Sequence, residues 1–227
     1  LKNLKNLLPA YMQTLMDATK KQDYQLANDI VDGIEKFQMK YGSEVRPSDQ
    51  KIDSEILYNK YDIFKRLYYL YMLAGVFMLI FTVVQIFKSS KTIQYVVNGF
   101  HILIGLLFVL HTLGLIARWY ISGHAPWSDA YESMIYVAWA TMFFGLAFGR
   151  KSKLTVASTT FVVSIILMVA HWQWMDPSIG NLQPVLNSYW LMIHVAVIVA
   201  SYGPFTLGMI LGIVSLLLIL LTNDKNK

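Results

Sequence analysis

The chain has 227 residues, a formal charge of +5, 56% hydrophobic residues, 15% charged residues and no cysteine. Long uncharged runs with that composition place it among membrane proteins. The absence of cysteine excludes disulfides, thiolate metal sites and covalent c-type haem attachment to this chain, and basic residues that form no stripe on a soluble face argue against a nucleic-acid partner.

Residues 1–66 are polar, and their acids and bases nearly cancel. Pro9 is positioned to start a short helix. A helical period of Leu26, Ile30, Ile34 and Phe37 predicts a helix from about Asp23 to Gly42, with Gly42 just past its end. A second period, Ile52, Ile56 and Phe64, follows Pro47, with Ser48 as N-cap candidate. This region reads as a small helical extramembrane segment without a catalytic motif. The expected fold is all-α: a polytopic bundle of five spans over 67–227, with spans near 67–87, 95–117, 131–148, 154–170 and 188–221. Because the chain opens on Leu1 and stops at Lys227 soon after a span, it is expected to be a segment of a longer polypeptide.

Orientation follows from the basic residues. Lys88, Lys91, Arg150, Lys151, Lys153, Lys225 and Lys227 all flank one side, and the short loops of the other side hold only Arg118. The basic side is expected to be cytoplasmic. Residues 1–66 and the crossings near 118–130 and 171–187 then face outward.

The fifth span is too long for a bilayer. Residues 188–221 would reach about 50 Å at roughly 1.5 Å per residue, against a hydrocarbon core of about 30 Å. Pro204, preceded by Gly203, is expected to kink it or to break one backbone hydrogen bond. Tyr189 to Val199 should stand at or above the outer boundary, covered by the two outer crossings or by a ligand. Gly208 and Gly212 form a GxxxG pair expected to make a close helix contact.

The polar and aromatic residues are asymmetric. Trp119, Trp127, Trp172, Trp174 and Trp190 lie toward the outer side, and Trp139 lies inside a span. They form either an interfacial belt or a wall for a flat hydrophobic ligand. His111, His124, His171 and His194 share the outward bias, while His101 is deeper. Buried imidazoles bind iron, zinc or copper when neutral, but no HxxxH or HExxH spacing points to a preformed zinc site. His194 stands apart, because Asn187, Trp190, Ser201 and Tyr202 share helical spacings with it on an otherwise apolar helix. Asp129 and Glu132 have the spacing of a capping box. Arg118 could reach lipid headgroups or pair with a carboxylate, a haem propionate included.

Two stretches carry a resemblance. GHAPWSDAYESMIYVAW at 123–139 and LQPVLNSYWLMIHVAVIVASYG at 182–203 resemble, in order and spacing, the signature blocks of the CcsA/ResC family of system II cytochrome c biogenesis. The match covers about 100–227, and the preceding part resembles the junction of fused CcsBA proteins. The resemblance implies a haem exporter and cytochrome c haem lyase, part of a holocytochrome c synthase, that presents haem b at the outer face for thioether attachment to CxxCH cysteines. It implies His194 as one external axial ligand to the iron, with Trp190 against the macrocycle and Arg118 as a candidate propionate partner. The family's tryptophan-rich haem loop and second external histidine belong beyond Lys227. Implied partners are apocytochrome c, a CcsB/ResB-like partner or fused domain, thiol-reducing proteins and the lipid bilayer, in a bacterial cytoplasmic membrane with residues 1–66 periplasmic, or its thylakoid equivalent. Two other readings compete. A haem-bearing electron-transfer subunit would use His101 or His111 within the bilayer, and a non-catalytic assembly protein would carry only structural histidines.

Overall fold

A computed structural model describes residues 6–88, 90–172, 175–180 and 188–221. The described residues form eight α-helices and one short 3-10 turn, with no strand. The chain divides into two compact units, residues 1–52 and 53–227.

In the first unit α1 (Leu7–Lys21) packs on α2 (Gln25–Tyr41), with Ala18 and Ala27 as the buried residues. Pro9 lies in the first turn of α1, where its missing N–H leaves no intrahelical bond unmade. Gly42 ends α2 and donates its N–H to the Gln38 carbonyl. Ser48 precedes α3 (Asp49–Tyr61), and its carbonyl accepts from Lys51 and Ile52 at 2.9 and 3.1 Å. Arg46 ties this join together, at 3.4 Å from Glu35 and 2.8 Å from Asp49.

In the second unit α4 (Ile63–Phe87) begins after Asp62, whose φ of 42° breaks the helix that the period through Phe64 suggested. Phe64 therefore belongs to α4 rather than to the preceding helix. Next come α5 (Lys91–Ser122), α6 (Ala130–Phe148), the 3-10 turn Gly149–Lys151, α7 (Lys153–His171) and α8 (Tyr189–Leu221). Among the described residues, five helices are long and apolar enough to cross a membrane.

Helices α4, α5, α6 and α7 form a four-helix bundle around Leu67, Met78, Ile104, Ile135, Met142 and Leu167, all under 2% exposed. Lipid is as apolar as these side chains, so hydrophobicity alone does not drive such helices together; close backbone approach does. That approach is visible where α4 meets α7: a Cβ on Gly75 would stand 2.9 Å from the Phe161 nitrogen. Gly145 and Gly149 meet α7 in the same way, through Thr159 and Val156. Helix α8 lies outside this bundle and packs chiefly on α6. Its contact is at Gly203, where a Cβ would come within 2.9 Å of the Ala140 carbonyl carbon and the Thr141 nitrogen.

One expectation about α8 needs correction. A Cβ at Gly208 or Gly212 would meet nothing within 4 Å, so the GxxxG pair faces away from every described helix and Gly203 makes the close contact instead. Pro204 lies inside the helix, which runs on from Tyr189 to Leu221, and its missing N–H removes one backbone hydrogen bond as expected. The hydroxyls of Ser201 and Thr206 bond the carbonyls of Ile198 and Tyr202 around that point, at 2.6 and 2.7 Å, a local adjustment typical of helices that carry an internal proline.

Candidate functional site

The end of the bundle where α5 leads into α6 is built on one buried arginine. Arg118, in the last turns of α5, has a fully buried side chain. Its Nε donates to Glu132 Oε1 at 2.8 Å, and its terminal nitrogens donate to the carbonyls of Pro177 and Ser178 at 2.9 Å each. Asp129 Oδ2 stands 3.7 Å away, and the guanidinium lies over the Tyr131 ring at 5.1 Å from its centroid. A planar fork that satisfies a carboxylate and two carbonyls at once is the geometry for which arginine is suited. A long side chain held by three protein acceptors does not snorkel, so the lipid-facing expectation for Arg118 is replaced by an interior one.

Asp129 and Glu132 form the predicted cap with one difference. The Asp129 carboxylate accepts the Glu132 N–H, as an N-cap should. The Glu132 carboxylate accepts the N–H of Ser128, one residue earlier than the standard box requires, at 2.9 Å. This leaves its other oxygen for Arg118. Partial desolvation of the Asp129 carboxyl, together with the Glu132 charge, raises its pKa above the ordinary aspartate value despite the Glu132 N–H and Arg118.

His124 completes the join. Its Nδ1 is 3.3 Å from the Ala125 carbonyl and its Nε2 is 3.2 Å from the Gly180 carbonyl. Carbonyls only accept, so both bonds form together only when the ring carries two protons. Arg118 and His124 thus grip the 175–180 crossing at three carbonyls: 177, 178 and 180. Within that crossing, Asp176 accepts the Ser178 N–H at 2.9 Å, and this bond holds its pKa below the ordinary aspartate value.

The other histidines are dispersed. His111 is buried between α4, α5 and α6. Its Nε2 donates to the Ile135 carbonyl at 3.1 Å, and its ring lies edge-on to Phe64. His171 stacks on Tyr68 with centroids 6.2 Å apart. Among the described residues, no group of three or more His, Asp or Glu side chains could hold a metal ion.

His194 is exposed in the N-terminal part of α8. It precedes Gly203 by nine residues, which at 3.6 residues per turn places it about half a turn away around the helix. It therefore faces away from α6. Trp190, Val197 and Ser201 lie on the same side, with Trp190 76% and Val197 65% exposed. The Ser201 hydroxyl is turned back onto its own helix. Among the described residues, the expected cover of residues 189–199 comes from the 118–130 crossing, where Trp127 donates its Nε1–H to the Met192 carbonyl at 3.2 Å. Among the described residues the side carrying Trp190 and His194 is exposed, and α8 is attached to α6 through the opposite face. Trp174, Pro184 and Asn187 lie outside the described residues, as do Lys225 and Lys227 of the orientation argument.

The described tryptophans do not make one flat wall. Trp119 and Trp127 meet edge-on at 5.9 Å. Trp139 stacks between Tyr136 and Phe143 and donates to the Thr112 hydroxyl at 2.9 Å. Trp172 and Trp190 are largely exposed. The Arg118–Glu132 pair was not foreseen as a pair. Its sequence signal was weak but present: one outer arginine, and one glutamate at the start of an apolar span.

Residues 127–227 match the family model described as "Cytochrome C assembly protein". The chain is 41% identical over 207 residues to Protein NrfI of Wolinella succinogenes, covering 91% of this chain and 23% of that protein. It is 34% identical over 146 residues to the cytochrome c biogenesis protein CcsA of Prochlorococcus marinus (strain MIT 9301), covering 63% of this chain and 44% of the other. With CcsA of Synechococcus sp. (strain WH7803) the identity is 36% over 124 residues, covering 53% and 39%. The chain thus spans about a quarter to under a half of these relatives.

Proposed function

Since the chain belongs to the CcsA family of cytochrome c assembly proteins, we propose that it is the part of a cytochrome c haem lyase that holds haem at the outer membrane face through His194. The observation that carries this reading is the placement of His194. Its imidazole stands on the open face of α8, near the outer end, beside Trp190 and Val197 and opposite the face that packs on α6. An axial ligand needs an accessible ring nitrogen, and the flat macrocycle needs apolar and aromatic neighbours. The residues present fit one side of a haem. The haem, when bound, supplies the vinyl groups that react with the cysteines of an apocytochrome.

In this reading His194 holds the iron and Trp190 lies against the macrocycle. Arg118 acts from a distance: its guanidinium is engaged by Glu132 and by the carbonyls of Pro177 and Ser178, so it shapes the crossing that leads into α8. A propionate would reach it only by displacing one of those acceptors. Haem b as the ligand, an outward-facing site in a cytoplasmic or thylakoid membrane, and apocytochrome c, a CcsB-like module and thiol reductants as partners all belong to this same proposal.

The test is His194→Ala in the full-length protein. Haem per folded protein should fall, together with cytochrome c maturation, and added imidazole should restore part of both. Unchanged haem content and an unchanged absorbance spectrum would remove His194 from the site.

A further inference from the structure

Helix α8 is attached to the rest of the second unit mainly along α6. Two specific contacts stand out along that line. The lower one is the backbone approach at Gly203. The upper one is the indole of Trp127, whose Nε1–H donates to the Met192 carbonyl at 3.2 Å. Met192 lies in the first turns of α8, two residues before His194. Between Met192 and Gly203 run three turns, about 16 Å of helix.

Trp127 is itself firmly placed. Its ring meets Tyr136 of α6 at 4.8 Å and Trp119 of α5 at 5.9 Å. Its backbone N–H bonds the Ala125 carbonyl at 2.9 Å, just before the Asp129 cap that starts α6. The indole therefore links α5, α6 and α8 at one height. A helix held only at Gly203 could swing and rotate above that point. Held also at Met192, its outer turns have a set height and a set rotation.

We propose that Trp127 is a positioning residue for His194, acting through the main chain of α8 and touching no haem. This deepens the reading of His194 as an axial ligand and rests on it. A ligating constellation must be held to within about 10–20° of its productive geometry. The Trp127 bond constrains rotation of the helix that carries the imidazole.

The experiment uses the full-length, haem-loaded protein and replaces Trp127 in two ways. Trp127→Phe retains an aromatic ring against Tyr136 and Trp119 and deletes the donor. Benzothienylalanine at position 127 retains the bicyclic shape and replaces only the N–H with sulfur, which serves if Trp127→Phe folds poorly. Exogenous imidazole then competes with His194 for the iron, followed by the haem absorbance and low-spin resonance. Either variant should be displaced at about fivefold lower imidazole, the factor expected for one neutral hydrogen bond, with a broadened low-spin signal. An unchanged titration and signal width would overturn the proposal.

A second readout separates this proposal from the haem reading. A nitroxide attached at His194→Cys, in protein without haem, reports motion of the outer turns directly. Its spectrum should sharpen when Trp127 is replaced, whether or not His194 binds iron. An equal spectrum with and without Trp127 would refute the positioning role even if His194→Ala had already lost its haem.

Discussion

Replacing Arg118 by leucine is the most demanding test of the outer-end architecture. The substitution removes three donated bonds, at 2.8, 2.9 and 2.9 Å, and leaves the Glu132 carboxylate, with its side chain 1% exposed, without its guanidinium partner. The Ser128 N–H at 2.9 Å still binds that carboxylate, and His124 Nδ1 stands 3.9 Å from it. Breaking a buried pair from one side costs about 3–5 kcal/mol, mostly because of the charge left behind. Arg118→Leu combined with Glu132→Leu removes that charge and should recover at least about 2 kcal/mol of the loss, although the two changes taken singly are both destabilising. The assay is denaturant unfolding of detergent-purified protein followed by tryptophan fluorescence, with chymotrypsin cleavage within 172–190 as the local readout. The single variant should unfold earlier and expose the crossing, because the carbonyls of Pro177 and Ser178 lose their donors. A single variant within about 1 kcal/mol of the parent, with the crossing still protected, would show that the buried pair does not hold this end together.

The remaining expectations are more local. Asp129 has a raised carboxyl pKa in the fold, so its contribution to stability is present below the ordinary value of 3.8 and is lost as pH rises through the folded value. Asp129→Asn retains an acceptor for the Glu132 N–H without that loss; its melting temperature relative to the parent should climb from pH 4 upward and level off, and a flat difference would refute the assignment. Gly203→Val should cost about 1–3 kcal/mol by forcing α8 off the Ala140–Thr141 backbone, whereas Gly208→Val, with open space around it, should leave the melting temperature unchanged. For orientation, a cysteine at Ser178 should react with an impermeant reagent from outside sealed membranes and one at Ser152 should not; the reverse pattern would invert the topology.

The helices were legible in the sequence because their causes are local. Long uncharged runs, Asp129 three residues before Glu132, and Gly42 at the end of a helical period are one-dimensional signals, and each corresponds to an observed element or cap. The His194 stripe was legible for the same reason: helical spacing alone puts Trp190, His194 and Ser201 on one side. Other features depended on what faces what. Gly203 and the Gly208–Gly212 pair look alike in sequence, and only the packing of α8 on α6 decided that the first is a close contact and the second is open. Arg118 could have faced lipid, haem or protein, and the approach of the 175–180 crossing decided for protein, because a buried guanidinium must find acceptors on whichever segment covers it. The sequence likewise placed Trp127 at an interface without saying which backbone would receive its N–H. That acceptor lies on a helix 65 residues away, and pairings at such range are set by tertiary packing rather than by any local pattern.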